Sequence, residues 1–360
     1  MPKEIVHWLI AEQTACLLRG TPLEKVVAAN PECLRFGAIF PDVLFYLVGK
    51  RSSRRIGRLG DILHGTGGED TYRLLRSLLE ITETSEASGP LTAFWIGVAS
   101  HLQADIVFHP LIYYLTGNYH DECPEKRTLA IQRHRRLEVM LDMYFTREKT
   151  PGQLRAYSLS RICGRLELPL SHLLKITSLS LAALSDIDFQ KNNFAALSVG
   201  NGRKRPIPSL LPCEMNFLKV YSRPEAITSD LRRALNHFIV MQNLCRRPFL
   251  GGMLFRMEKR LPQPLREITA LFQAPQLAAH FSFLAKPVSY RNPVSGNPAE
   301  STVDMLFTQA VQNSADFCRN MQIAIQRRDL SAFPEWGPSL GFGIPRVDAG
   351  AARYFAPLSF

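Results

Sequence analysis

No two of the seven cysteines (Cys16, Cys33, Cys123, Cys163, Cys213, Cys245, Cys318) have Cys-x-x-Cys spacing. Their odd number and irregular intervals argue against a disulfide framework or a thiolate zinc site, and point to free thiols in a reducing compartment. Alternation with period two is almost absent, which argues against a sandwich or barrel of strands. No apolar run approaches the roughly 18–20 residues a membrane-spanning helix needs, because Pro41-Asp42 divides the longest candidate, Phe36 to Val48. A secretion signal is lacking too: Glu4, His7 and Glu12 stand where an unbroken apolar stretch would be required. The expected location is cytoplasmic.

What is present is a chain of 360 residues, 46% apolar and 21% charged, long enough to bury a large core unaided. Stability does not demand a metal, so any metal site would serve chemistry. The net charge of +11 is unevenly spread: residues 1–150 hold 18 Lys/Arg against 18 Asp/Glu, and residues 151–360 hold 25 against 14. The second part suits anionic partners, whether phosphate-bearing substrates, an acidic membrane surface or nucleic acid; a merely solvated basic face is the alternative.

Helical spacing dominates. Apolar residues recur at three and four in 4–19, 70–82 and 126–145, and 91–109 is apolar nearly all round, the mark of a central helix. Further helices are expected near 152–164, 168–184, 208–221, 225–244, 262–285 and 300–329. Loops are expected at 50–60, with its arginines and glycines, and at 116–125, 189–206 and 287–299, with 199–206 a basic loop. The fold class is all-α, a multi-helix bundle. Residues 1–150 form the expected metal-binding catalytic core, 151–330 a basic helical region packed on it, and 331–360 an irregular tail.

Six of nine histidines lie at or before position 134. Within the apolar helix, His101, Asp105 and His109 are spaced by four, so successive members are about 40° apart on one face. Two imidazoles and a carboxylate among Phe94, Trp95, Ile96, Leu102 and Phe108 would cost several kcal/mol to desolvate unless paired or metal-bound. His134 and Glu138 repeat the spacing on the next helix, and facing pairs of this kind can build a metal site between helices. Asp42, after Pro41 at an expected turn, and His64, before Gly65, would each alone read as structural, as a helix cap and a satisfied histidine. Together with the two helical pairs they read as ligands.

The ordered series His7, Gly37-x-x-Phe-Pro-Asp42, His64-Gly, Ser100-His101-xxx-Asp105-xxx-His109 and His134-xxx-Glu138 resembles the zinc-dependent phospholipase C superfamily, which includes single-strand-specific zinc nucleases. Its motifs look most like the branch containing the N-terminal domain of glycosylphosphatidylinositol-specific phospholipase D, over roughly residues 5–145. The resemblance implies a helical fold with two or three zinc ions. Asp42, His64, His101 and Asp105 would hold one, Asp105 would bridge to a second bound with His7, and His109, His134 and Glu138 would hold the third. Asp42 would be a ligand, a general base or both. In the family's secreted members the N-terminal amino group is itself a ligand, whereas His7 follows Met1-Pro2-Lys3, so a two-zinc cluster stays open. Trp8 is assigned to core packing.

The segment Ser289-Tyr290-Arg291-Asn292-Pro293-x-x-Gly296, with Ser301, Asp304 and Phe307, resembles one that recurs in bacterial relatives. It is expected either to cap the active-site mouth or simply to pack. Clustered zinc lowers the pKa of water and stabilises phosphoryl charge, so the expected reaction is phosphodiester hydrolysis, on a phospholipid or related phosphodiester. A single-strand nuclease activity and a non-catalytic, metal-stabilised scaffold for anionic partners are the alternatives. An HD-type phosphohydrolase is disfavoured because His120-Asp121 falls in a loop.

Overall fold

The structure, a computed structural model, describes residues 3–47, 52–77, 88–149, 157–183, 224–327 and 334–358. These residues are helical apart from one short hairpin and irregular connections, which establishes the all-α class. The helices are α1 (Glu4–Leu17), α2 (Leu23–Ala29), α3 (Pro31–Val43), α4 (Ser52–Leu63), α5 (Ser88–Thr116), α6 (Pro124–Lys149), α7 (Leu159–Cys163) and α8 (Leu170–Ala183). After them come α9 (Pro224–Cys245), α10 (Pro248–Met257), α11 (Gln263–Thr269), α12 (Phe281–Leu284) and α13 (Val303–Arg327). The expected helix 208–221, the whole expected loop 189–206 with its basic stretch 199–206, and parts of 70–82 and 152–164 lie outside the described residues.

Helix α5 is the axis of the molecule, with α1, α3, α6 and α13 packed around it. It is apolar on every side and buried along nearly its whole length. By length and composition it could cross a membrane, contrary to the expectation that no run was long enough. Its apolar window is 89% buried inside the fold, however, so it serves as the core. Two glycines set the closeness of the α3–α5 crossing: a Cβ on Gly37 would lie 2.0 Å from the Phe94 carbonyl oxygen, and one on Gly97 would lie 2.1 Å from that of Leu34. Phe36, Phe40 and Phe94 pack edge-on beside that contact. Helix α6 fixes the start of α1, because Asp142 accepts hydrogen bonds from the backbone N–H groups of Ile5 and Val6, both 3.1 Å. Trp8 is core, as expected, fully buried with its Nε1 donating to the Arg35 carbonyl.

Several local expectations are corrected. Residues 52–60 of the expected 50–60 loop belong to α4, because Ile56, Leu59 and Leu63 fall at helical spacing and are buried. Pro41-Asp42 is no turn: both lie in the last part of α3, where burial of Phe36, Phe40 and Val43 outweighs the hydrogen bond Pro41 cannot donate. The 262–285 helix is broken into α11, a 3₁₀ turn at Pro275–His280 and α12, and α10 precedes it. The 287–299 loop is an antiparallel hairpin, β1 (Val288–Arg291) with β2 (Pro298–Ser301), its turn closed by Gly296 at φ 73°. Asp304 and Phe307 pack, accepting the Tyr144 hydroxyl and stacking on Phe145.

The irregular tail does more than wrap the surface. Its Leu340 N–H donates to the His64 carbonyl, Ala349 N–H to Thr66, and Ala356 and Leu358 N–H to Tyr114 and Leu115 at the end of α5. The hairpin clamps the tail in turn: Asn292 donates to the Phe342 carbonyl at 2.7 Å, and Pro293 accepts from Arg353 and Tyr354. Residues 334–358 are thereby fastened over the segment that carries His64 and His109.

Candidate metal centre

Helical geometry brings together all eight residues singled out in the sequence. Helix α5 supplies His101, Asp105 and His109, α6 supplies His134 and Glu138, α1 supplies His7, and Asp42 and His64 follow from the ends of α3 and α4. Three groups of buried side chains have ligand atoms within 4.8 Å of one another: Asp42, His64 and His101; His7, His101 and Asp105; and His109, His134 and Glu138.

Asp105 joins them. Its Oδ2 faces His101 Nε2 at 3.3 Å and His64 Nε2 at 3.8 Å, and its Oδ1 faces His7 Nε2 at 3.5 Å and His109 Nε2 at 3.8 Å. Asp42 Oδ1 stands 3.6 Å from both His64 and His101. Such separations are longer than hydrogen bonds. They match the spacing of two ligands on one tetrahedral ion, about 3.3 Å or a little more when each bond is about 2.0–2.1 Å. The pair His134 Nε2 to Glu138 Oε1 is closer, at 2.9 Å.

Three rings are oriented from behind. His64, His101 and His109 each have Nδ1 within 2.7–2.9 Å of a carbonyl oxygen, those of Gly60, Ala38 and Leu340. A carbonyl can only accept, so Nδ1 carries the proton and the Nε2 lone pair is turned into the cluster, the arrangement a metal-binding imidazole needs. Inside, His101 Nε2, His109 Nε2, both His7 nitrogens, Asp42 Oδ1 and both Asp105 oxygens are buried without a hydrogen-bond partner in the protein. Unpaired polar atoms at this density are costly in a folded core. Divalent cations would satisfy them, so the donor set fits zinc.

The protonation pattern agrees. Burial lowers the pKa of His7 and His134 far below the usual range and that of His109 to about 3, keeping these imidazoles neutral. For His101 burial acts in the same sense, but Asp105 and Asp42 outweigh it and the pKa rises. Burial would raise the pKa of Asp105, yet His109, His101 and His7 hold it well below the carboxylate range. Without metal, the charges of Asp105 and Asp42 favour a proton on His101.

His101 Nε2 has one lone pair and can serve one ion. Assigned with Asp42, His64 and Asp105 Oδ2, it completes four protein ligands. An ion next to His7 would then have His7 and Asp105 Oδ1 as its nearest side chains. His7, His101 and Asp105 are fully buried, whereas Asp42, His64, His134 and Glu138 are 5–8% exposed, so the little exposure the cluster has lies on their side.

Reasoning from sequence missed the supporting partners. Gly60 lies in the unrecognised helix α4, and Leu340 is an apolar residue of the tail that acts through its backbone. Asp142 extends the His134–Glu138 spacing by four more residues and was detectable on that ground. His120 is in the 117–123 connection, as expected, stacked on Tyr113.

The described residues thus form an all-helical fold around a buried cluster of histidines and carboxylates that could hold metal ions. Residues 6–182 match the family model described as zinc dependent phospholipase C, a stretch that contains all eight residues. That part of the chain belongs to the zinc-dependent phospholipase C superfamily. No curated protein and no solved structure matches the chain.

Proposed function

We propose that the protein is a zinc-dependent phosphodiester hydrolase acting on a phospholipid. The observation that carries the reading is Asp105, whose two oxygens face two different sets of imidazoles, the arrangement of a carboxylate shared between neighbouring cations. His64, His101 and Asp42 would hold one zinc with Asp105, His7 a second, and His109, His134 and Glu138 a third. Bound zinc supplies Lewis acidity toward phosphoryl oxygens and lowers the pKa of water. Asp42, with Oδ1 directed at the ligand cluster, orients the attacking water and accepts its proton at the other carboxylate oxygen. The carbonyls of Gly60, Ala38 and Leu340 keep the imidazoles in the tautomer this requires.

The phospholipid reading is supported beside His64, where Phe45 is 40% exposed and its ring lies 5.1 Å away, an apolar side chain at the edge of the cluster. A nuclease-like activity is the second reading, favoured by Tyr113 and Tyr119, whose rings lie about 5 Å from His134 and could stack on a base. A cytoplasmic location is part of the proposal, consistent with the free thiols of the six described cysteines.

The test sets zinc content beside turnover of phosphatidylcholine in micelles, of single-stranded DNA and of a chromogenic phosphodiester. Lipid cleavage to a phosphorylated headgroup that Asp42→Asn abolishes with zinc retained supports the proposal. Cleavage of DNA alone supports the nuclease reading, and a zinc-loaded but inert protein makes the chain a scaffold.

A further inference from the structure

Helix α10 places its side chains the wrong way round for a helix on a water-facing surface. The face turned inward is built from Gly251 and Gly252, with Phe255 under the Arg136 guanidinium. A Cβ on Gly251 would come within 2.3 Å of the Gln273 carbonyl oxygen, so the backbone itself is seated against the segment after α11 and the helix cannot roll. Met253 stands about 200° from Gly251 around the helix. With Phe249 and Met257 at steps of four, it forms an apolar line on the solvent side. Phe249 is 87% exposed, and Met253 and Met257 are 41% and 45% exposed. Leu265 and Ile268, on the neighbouring α11, are 46% and 45% exposed.

The charges around this line all have one sign. Arg247, Arg256, Lys259 and Arg260 are exposed. The single acid between positions 247 and 260, Glu258, is buried and bonded to Arg136 at 2.5 Å and Gln132 at 2.6 Å, so it contributes no negative surface. Interaction with the negative end of the helix dipole would account for Arg256, Lys259 and Arg260 near the C-terminus of α10, but not for Arg247 at its opposite end. Nor would it account for three large apolar side chains in water.

We infer that α10 and α11 form a docking surface for an anionic lipid bilayer. Phe249, Met253 and Met257 enter the headgroup boundary, and Arg247, Arg256, Lys259 and Arg260 pair with acidic headgroups around them. The apolar ridge of α10 is rimmed with cations, and the acid of α11, Glu267, is 23% exposed and neutralised by Arg135 at 3.7 Å, so the surface as a whole matches a negatively charged interface. The inference deepens the phospholipid reading by naming the form in which substrate is met, but it rests on surface residues and not on the metal cluster. The surface is tied to the site through α6: Arg136 and Gln132 hold Glu258, Arg135 donates to the Glu267 carbonyl, and His134 is their neighbour in sequence.

The test is flotation of the full-length, zinc-loaded protein with phosphatidylcholine vesicles made with and without phosphatidylglycerol. The protein is expected to float with the anionic vesicles and not with the neutral ones, and to be released by high salt. The double variant Phe249→Ser, Met253→Ser should lower partitioning about tenfold. Arg256→Gln with Lys259→Gln should lower it several-fold. Both should retain zinc content and turnover of the soluble chromogenic phosphodiester. Equal flotation of parent and variants, no flotation of the parent, or a concentration-dependent dimer that Phe249→Ser dissociates would each overturn the inference. Vesicle binding without lipid cleavage would uphold docking and defeat the phospholipid reading, and cleavage of dispersed lipid without flotation would do the reverse.

Discussion

The centre of the molecule and its α10–α11 surface break the usual partition of side chains in opposite directions. Around α5, charged and polar atoms are sealed inside with no protein partner. On α10, large apolar side chains stand in water while glycines occupy the packed face. Neither arrangement lowers the free energy of the isolated chain. Each becomes favourable when something outside the chain is supplied, cations in the first case and a lipid interface in the second. The inner exception is held rigidly from three sides, by α3, α4 and the tail, as a site that orients reacting groups requires.

The largest effect is expected at Asp105, whose two oxygens face different sets of imidazoles. Asp105→Asn should reduce zinc affinity by more than the roughly 10–100-fold typical of losing a partner one layer further out. Metal analysis should find the loss centred on the His7 and His64 sides, with His109, His134 and Glu138 retaining more. Next is Asp142, buried and bonded to the two N–H groups just before His7. Asp142→Asn turns a donor toward those groups and should cost about 1–3 kcal/mol in denaturant unfolding, with the ion beside His7 lost first.

Acidity separates the metal-free from the loaded protein. In the metal-free protein, His7, His134 and His109 stay neutral where the unfolded chain takes up protons, so stability falls as pH drops below about 6.5, by up to about 1.4 kcal/mol per pH unit for each group. His101 acts oppositely. Its raised pKa gives stability that is complete below about 6.5 and lost as pH rises through the folded value. Asp142, raised to about 7 by burial and Glu4, adds a loss between the carboxylate range and pH 7. Melting temperatures of chelator-treated protein should therefore peak near pH 6.5. Zinc should remove the alkaline decline that His101 causes, since it replaces that proton.

Smaller still is Asn292→Ala, which frees the Phe342 carbonyl and should cost about 1 kcal/mol while loosening the tail that orients His109. At the foot of the scale, Phe249→Ser should change unfolding stability by no more than about 0.5 kcal/mol, because the ring is already in water. A large loss there would mean the ring is packed, erasing the contrast between the two regions.

How much of this the sequence contained follows from the range of each signal. The spacing of four in α5 and α6 is local and survives folding unchanged, so His101, Asp105, His109, His134 and Glu138 were legible as sets. Their convergence with His7, Asp42 and His64 came only from the order of motifs. Helix α4 was hidden because its arginines and glycines read as a loop, although Ile56, Leu59 and Leu63 carry the period. Asp42 was misplaced because Pro41 suggested a break that tertiary burial overrides. Strands four residues long are too short for alternation to stand out, and the roles of the Gly60 and Leu340 carbonyls depend on backbone contacts that no side-chain pattern encodes.

Anomalous diffraction at the zinc edge, from crystals of the full chain, tests the centre most directly. Peaks are expected about 2.0–2.1 Å from the Nε2 atoms of His64 and His101, with Asp42 and Asp105 oxygens completing that sphere, and within bonding distance of His109, His134 and Glu138; a further peak is expected between His7 and Asp105. Zinc bound elsewhere, or a loaded protein whose Asp105 touches no ion, would contradict the assignment.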